Sequence, residues 1–574
     1  MGTFWQKLMQ PPRTKDVAAL AVFTVLITLH PYFTDGKINI FEVGLYLPGI
    51  QSVLNGEIPF RDFFHLRGPF ELYMPAFLMK LFGVHIKVLY AYFYFGTVLG
   101  LILCALIAKE LLKTRYVLYL MVPVLIGRTF PRVVFTYWGG MRYALGLLAL
   151  WFVIKFFKGN KPGWMLGAGI VSAAALFTSV EMGVYPFIGA LAALSVSLIF
   201  KIQEQKLICL GLLEYVIGFC LIAAPFGIYM AMHSALIPYL DAVWTIVTRM
   251  QKVIDPHFVS VYPGNLREAL VAMANPVHTN FKHMTPAYLY IFLLAYLLFR
   301  LKKKALARED LMLICLGVYG FIMYNTGFRG IWAAQFEMAL QPEKVLLFFL
   351  FEVFLFAAIA LRRNLLPALK EKPSLKWYSR EKWKLYFCNA FMFFLLFSSI
   401  GYSIQRYNHR FFAFKFIRDT LTGKDTAYLK PLSNEEARTA DIPRAKGILL
   451  PAEQALELEV VAAFAAGHIK EDEVMFTYPE LGIYNFFAGR RFFGKFPIST
   501  FSWFNDRWHA EYLAELKASR PKFAIVQKEM PQYWKDVYLA LEPNRAKYKD
   551  VMDFIQSEYS LYAETPLSYV YALK

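Results

Sequence analysis

The chain alternates long apolar runs with short polar stretches. Eleven runs, at about 17–34, 86–112, 116–135, 140–157, 163–180, 182–200, 207–231, 286–301, 311–326, 343–361 and 385–403, predict membrane-spanning helices. The pattern changes between the first two. In 40–54, Ile40, Val43, Leu47, Ile50 and Leu54 recur at spacings of three and four, predicting a helix that lies on the membrane with Glu42 off its apolar stripe. Pro48 is expected to kink or split it. Segment 69–83 repeats the design with Phe70, Met74, Phe77 and Leu81.

Beyond about residue 404 the apolar runs shorten and alternate in type. Residues 452–468, 508–519 and 534–558 read as helices, and 474–478, 523–527 and 567–573 as strands. The expected architecture is therefore a polytopic α-helical membrane protein with about eleven spans and a C-terminal extracytoplasmic α/β domain. The parts are 1–403, containing a first extracytoplasmic loop at 35–85, and 404–574.

Composition sharpens this picture. Of the 574 residues, 57% are hydrophobic and only 18% charged, against about 25% in soluble domains. The formal net charge of +19 would suggest nucleic acid in a soluble protein, but here the cations gather in alternate short loops. They include Lys109, Lys113 and Arg115, then Lys155, Lys158 and Lys161, then the run RLKKKALAR at 300–308. Alternation of this kind predicts a cytoplasmic N-terminus behind an uncleaved signal anchor, an outer C-terminus and an inner-membrane location. It argues against nucleic-acid binding. The five cysteines fall in or beside spans and form no disulfide or metal pattern. The fifth span carries Gly163 and Gly167 at GxxxG spacing, a signal for close helix packing.

The first loop concentrates chemistry. Asp35, Glu42, Arg61, Asp62, His65 and Arg67 lie among aromatic, amphipathic segments at a predicted membrane surface. A carboxylate there can take a proton from an attacking hydroxyl while neighbouring cations hold a phosphate leaving group. Surface ion pairs orienting an interfacial helix are the commoner role for such residues. Arg128, Arg132, Arg142, Glu181, Arg329, Gln335, Glu337 and Lys344 are further charged or polar groups at predicted outer ends of spans. The histidines at 233, 257, 278 and 283 fit no metal-ligand spacing.

The stretches FEVGLYL, VLNGEIPFRDFF and RGPFELY, followed by LFG, resemble the first extracytoplasmic loop of GT-C glycosyltransferases. More narrowly they are similar to the family 39 type, which includes protein O-mannosyltransferases and lipid A aminoarabinose transferases. The likeness covers about fifty residues, with weaker echoes at GGMRYALGLLAL (139–150), TSVEMGVYPF (178–187), PELGIYNFFAGRR (479–491) and RPKFAIV (520–526). The resemblance implies inverting transfer from a polyprenyl-phosphate sugar donor to a lipid, glycan or protein acceptor, in contact with membrane lipids. It also implies a first-loop acid as base. Where the family often has an Asp-Glu pair, this chain has Phe41-Glu42, which leaves Glu42, Asp35 and Asp62 as candidates, Glu42 first. His65, Arg67, Arg132, Arg142, Glu181 and Arg329 are the candidate donor-binding residues. No cofactor is implied beyond an open question of a divalent cation. The competing readings are a transporter or flippase, for which Glu352 inside the tenth span and Glu214 in the seventh are the best arguments, and a non-catalytic scaffold. No internal repeat supports the transporter.

Overall fold

The computed structural model describes residues 6–28, 40–129, 141–249, 281–330, 341–371, 382–393, 418–419, 421–423, 437–479, 481–497, 505–530 and 532–574. Its first part is helical: α1 (Thr14–Thr28), α2 (Ile40–Leu54), α3 (Phe70–Phe82), α4 (Ile86–Leu111), α5 (Arg115–Thr129), α6 (Met141–Gly159) and α7 (Gly163–Thr178). These are followed by α8 (Val180–Ile199), α9 (Gln205–Met232), α10 (Leu236–Arg249), α11 (Phe281–Lys302), α12 (Arg308–Gly330) and α13 (Gln341–Glu371). The protein is a membrane protein. Four described helices, α4, α8, α9 and the first 23 residues of α13, are long and apolar enough to cross a bilayer. The other predicted spans coincide with described helices or, for 385–403, with a helical stretch at 382–393.

Glycine sets a close helix contact. A Cβ on Gly169 would lie 2.0 Å from the Tyr215 carbonyl oxygen, and one on Gly218 would lie 2.1 Å from that of Leu166, so α7 and α9 touch backbone to backbone. The GxxxG pair does not make this contact. Gly167 meets the Phe152 ring at ordinary distance and Gly163 only the tip of Glu214.

The C-terminal part is α/β. A short hairpin, β1 (Ala437–Thr439) with β2 (Leu449–Pro451), precedes α14 (Ala452–His468). Strands β3 (Val474–Tyr478), β4 (Arg491–Phe492), β5 (Phe523–Gln527), β6 (Tyr559–Glu564) and β7 (Ser568–Leu573) form one sheet in the order β4-β3-β5-β7-β6. β3 runs parallel to both neighbours, whereas β7 is antiparallel to β5 and β6. Helices α15 (Gly482–Ala488) and α16 (Asp506–Ser519) connect the parallel strands. The single helix expected at 534–558 is two, α17 (Gln532–Val537) and α18 (Glu542–Glu558). Leu541 is extended and Pro543 opens the second helix, where its missing N–H costs nothing.

The first loop does not simply lie on the membrane. α2 is buried on every side from Val43 to Ile50 and runs unbroken through Pro48. One side meets α3 and α4 and the other meets α15, so Val43, Tyr46, Leu47 and Ile50 share a hydrophobic core with Leu72, Leu89, Phe93, Ile483 and Phe486. Pro48 has no N–H to give the Gly44 carbonyl one turn earlier. Gly482 sits against that carbonyl, where a Cβ would come within 3.2 Å of it and 2.2 Å of the Pro497 oxygen. α3 behaves as its pattern predicts on one face: Met74, Phe77 and Leu81 are exposed and suit a lipid surface. Its other face buries Glu71, Leu72, Ala76 and Met79.

Candidate active site

The segment 55–69 carries the site, and its backbone is held at both ends. Gly56, at φ +87°, turns the chain out of α2. The Ile58 N–H donates to Asp62 Oδ2 at 2.7 Å, and the Phe60 N–H donates to the Phe63 carbonyl at 2.6 Å. The Phe64 N–H donates to the Lys495 carbonyl at 2.6 Å, tying the loop to the C-terminal part. The Gly68 N–H donates to the Thr178 carbonyl at 3.0 Å, tying it to the end of α7. Only glycine fits there, because a Cβ would lie 2.0 Å from the Phe177 carbonyl oxygen. Pro69, with φ fixed near the helical value, then starts α3.

These ties bring Arg67 to the junction of α7 and α8. Ser179 is extended there and interrupts the two helices, which puts Glu181 in the first turn of α8. Arg67 Nη1 and Arg142 Nη1 each lie 3.7 Å from the same oxygen, Glu181 Oε1. That separation exceeds a charge-assisted hydrogen bond, so the carboxylate attracts both cations at ion-pair distance. Arg142, in the first turn of α6, is 2% exposed and donates to the Tyr143 hydroxyl at 3.1 Å.

Beneath the arginines lies Glu71, four residues after Arg67 on α3 and 1% exposed. Burial pushes its carboxyl up to about 7, against the pull of Arg142 and Arg67. His65 is fully buried with its ring edge against Tyr46, their centroids 5.4 Å apart. Burial, with Arg67 nearby, holds its imidazole down at about 3, so it is neutral at physiological pH. Among the described residues neither of its ring nitrogens has a hydrogen-bond partner.

The structure thus unites Arg67, Arg142 and Glu181, with His65 beside them. Asp62 stands apart. It receives two hydrogen bonds from Arg61, both 2.7 Å, besides the one from Ile58. Arg61 holds its carboxyl below the ordinary range, the opposite of what a general base near neutral pH needs. Glu42 falls in α2, one turn before Tyr46; its side chain, like that of Arg329 in α12, lies outside the described residues. Asp35 and Arg132 lie wholly outside them, as do Gln335 and Glu337. Lys344, buried at the start of α13, pairs with its neighbour Glu343.

Glu352 has a structural role. Although midway along α13, it caps α5: its carboxylate accepts hydrogen bonds from the N–H groups of Lys113 and Thr114 and from the Thr114 hydroxyl, all at 2.7 Å. A carboxylate at a helix N-terminus satisfies orphan donors and the helix dipole. That removes the main argument for a transport path.

Glu71 was not among the sequence candidates. Its signal was present in RGPFE, where an acid follows Arg67 by four residues and opens α3 off the Phe70–Met74–Phe77–Leu81 stripe.

Fold and site together define a helical membrane protein with an α/β part clasped over its first loop and a buried arginine–carboxylate cluster beneath. No protein-family model matches the chain, and no curated protein matches it. Among solved structures it is similar to ArnT from Cupriavidus metallidurans bound to undecaprenyl phosphate, at 11% identity over 97% of each chain, TM-score 0.48. The apo state of that protein gives 11% identity, the same coverage and a TM-score of 0.49. The chain is also similar to the Archaeoglobus fulgidus oligosaccharyltransferase tethered with an acceptor peptide containing the NVT sequon. There identity is 11% over 98% of this chain and 74% of that one, TM-score 0.43. Likeness at this level assigns no residue a role.

Proposed function

We propose that the protein is a membrane glycosyltransferase that moves a sugar from a polyprenyl-phosphate donor to an extracytoplasmic acceptor. The observation that carries this reading is the convergence of Arg67 and Arg142 on Glu181, at the point where the first loop meets the starts of α6 and α8. Two guanidinium groups gathered beside one carboxylate give a net positive cluster that suits an incoming phosphate, with which arginine forms paired hydrogen bonds. The first-loop likeness to GT-C glycosyltransferases supports the same chemistry.

In this reading about eleven spans place the N-terminus inside, and residues 404–574 form an outer domain above the first loop. The acceptor hydroxyl attacks the anomeric carbon on the face opposite the phosphate. Its oxygen forms the new glycosidic bond as the bond to the phosphate oxygen breaks, and polyprenyl phosphate leaves with the electron pair. Arg67 and Arg142 stabilise that leaving group, and Glu42 takes the hydroxyl proton. The anomeric configuration inverts.

The test is turnover in lipid nanodiscs supplied with polyprenyl-phosphate-linked sugars and a crude membrane acceptor. Wild-type protein should release polyprenyl phosphate. Arg142→Ala and Glu42→Gln should insert and fold normally yet lose release by at least about 100-fold, the scale for losing a leaving-group donor or a general base. Release that survives both substitutions, or no release from any donor by intact wild-type protein, would refute the assignment.

A further inference from the structure

Glu71 has no part in the transfer just described, yet it is almost wholly buried beside the arginines. Among the described residues, its Oε1 is buried without a hydrogen-bond partner. Arg67 of the loop, Arg142 of α6 and Glu181 of α8 act on it electrostatically. From α4 the Tyr92 hydroxyl, also buried without a hydrogen-bond partner among the described residues, is in electrostatic reach of it. Nearby, Tyr46 of α2, in electrostatic reach of Tyr92, packs its ring against His65 of the loop, which is in electrostatic reach of Arg67; Glu42 lies one turn before Tyr46 on the same helix.

The charge balance of this group is informative. With both carboxylates ionised, Arg67 and Arg142 are neutralised by Glu71 and Glu181. A phosphodiester entering the cluster adds a third anion to a site of low dielectric, where an unbalanced charge is costly. Glu181 keeps about a third of its side chain exposed, whereas Glu71 is buried.

We propose that Glu71 is a positioning residue for the arginine pair that takes up a proton when the anionic donor binds and gives it back when the site empties. This rests on the donor reading above. Donor capture is thereby coupled to proton uptake, and the cluster stays neutral in both states. Its carboxyl, already raised to about 7 in the empty site, needs only the added anion to stay protonated at higher pH. The neighbours do not titrate in the same window. His65 is neutral down to about 3, Asp62 is held ionised by Arg61, and phenols such as Tyr46 and Tyr92 ordinarily ionise near 10.

The experiment is calorimetric binding of a polyprenyl methyl phosphate, a diester with one fixed charge, to the full chain in nanodiscs. Titrations between pH 6 and about 9 in buffers of different ionisation enthalpy report the protons bound. Wild-type affinity should fall as pH rises above about 7, approaching tenfold per pH unit, with uptake approaching one proton per diester. Glu71→Gln, permanently neutral, should bind with no pH slope and take up none, whereas Glu71→Asp should restore both. A pH slope that persists in Glu71→Gln, or wild-type binding without proton uptake, would overturn the inference and leave the donor reading intact. Should Glu71→Gln fail to fold, proton uptake by wild-type protein still decides. Absence of diester binding at every pH would overturn both.

Discussion

Gly68→Ala tests the geometry of the cluster without touching a charged group. The new Cβ would lie 2.0 Å from the Phe177 carbonyl oxygen and 2.4 Å from its carbon, and both are backbone atoms. Ordinary carbon–oxygen contacts begin near about 3.3 Å, so the loop has to retreat by roughly 1.3 Å. That retreat breaks the hydrogen bond from Gly68 to the Thr178 carbonyl, worth about 1 kcal/mol, and adds an overpacking cost of about 1–3 kcal/mol. Arg67 is the adjacent residue. Moving it off Glu181 from 3.7 Å to roughly 5 Å weakens the attraction by about 1 kcal/mol at an effective dielectric of about 20. A catalytic clamp displaced by about 1 Å costs turnover on the order of 100-fold. The assay is polyprenyl phosphate release per folded molecule, measured beside thermal unfolding. Gly467→Ala is the control, because a Cβ there meets nothing within 4 Å. Gly68→Ala with wild-type release and donor affinity would show that the tie to α7 does not position Arg67.

Two further outcomes follow from the same contacts. Glu352→Gln should lower stability by about 1–3 kcal/mol through the lost cap on α5, while release per folded molecule is unchanged; a folded variant without release would restore a functional role for that carboxylate. The folded-state value of Glu71, about 7, lies above its ordinary 4.5, so its neutral form stabilises the fold below pH 4.5 and that contribution fades as pH rises through 7. The decline amounts to up to about 3 kcal/mol, and Glu71→Gln should be the more stable protein at pH 8 by a margin that closes at pH 5. Denaturation curves at the two pH values giving a constant difference would count against it.

The spans were legible because a bilayer demands long apolar runs, and α14, β3, β5 and β7 appeared close to where the periodicity placed them. α2 was misjudged for a physical reason. Its sequence, IFEVGLYLPGIQSVL, is apolar almost all round, which marks a helix enclosed by protein, and selecting one stripe from it suggested a surface. Pro48 predicted a break, but the enclosing core outweighs one lost hydrogen bond. In the site, Arg67, Arg142 and Glu181 were recognised as separate outer-face charges. Their convergence on one oxygen depends on the Gly68–Thr178 tie, a contact between distant segments that no local pattern encodes. Glu352 was visible as a buried carboxylate, but its partners at 113 and 114 were not.

The shared core of α2 and α15 also constrains the order of events as the chain is made. Val43 and Tyr46 are synthesised roughly 440 residues before Ile483 and Phe486, the partners they pack against. The loop carrying Arg67 therefore waits, with an apolar flank uncovered, while the remaining helices enter the membrane and the sheet assembles. A chain truncated before α15 lacks that covering, so α2 finds its full set of core partners only once α15 has been made.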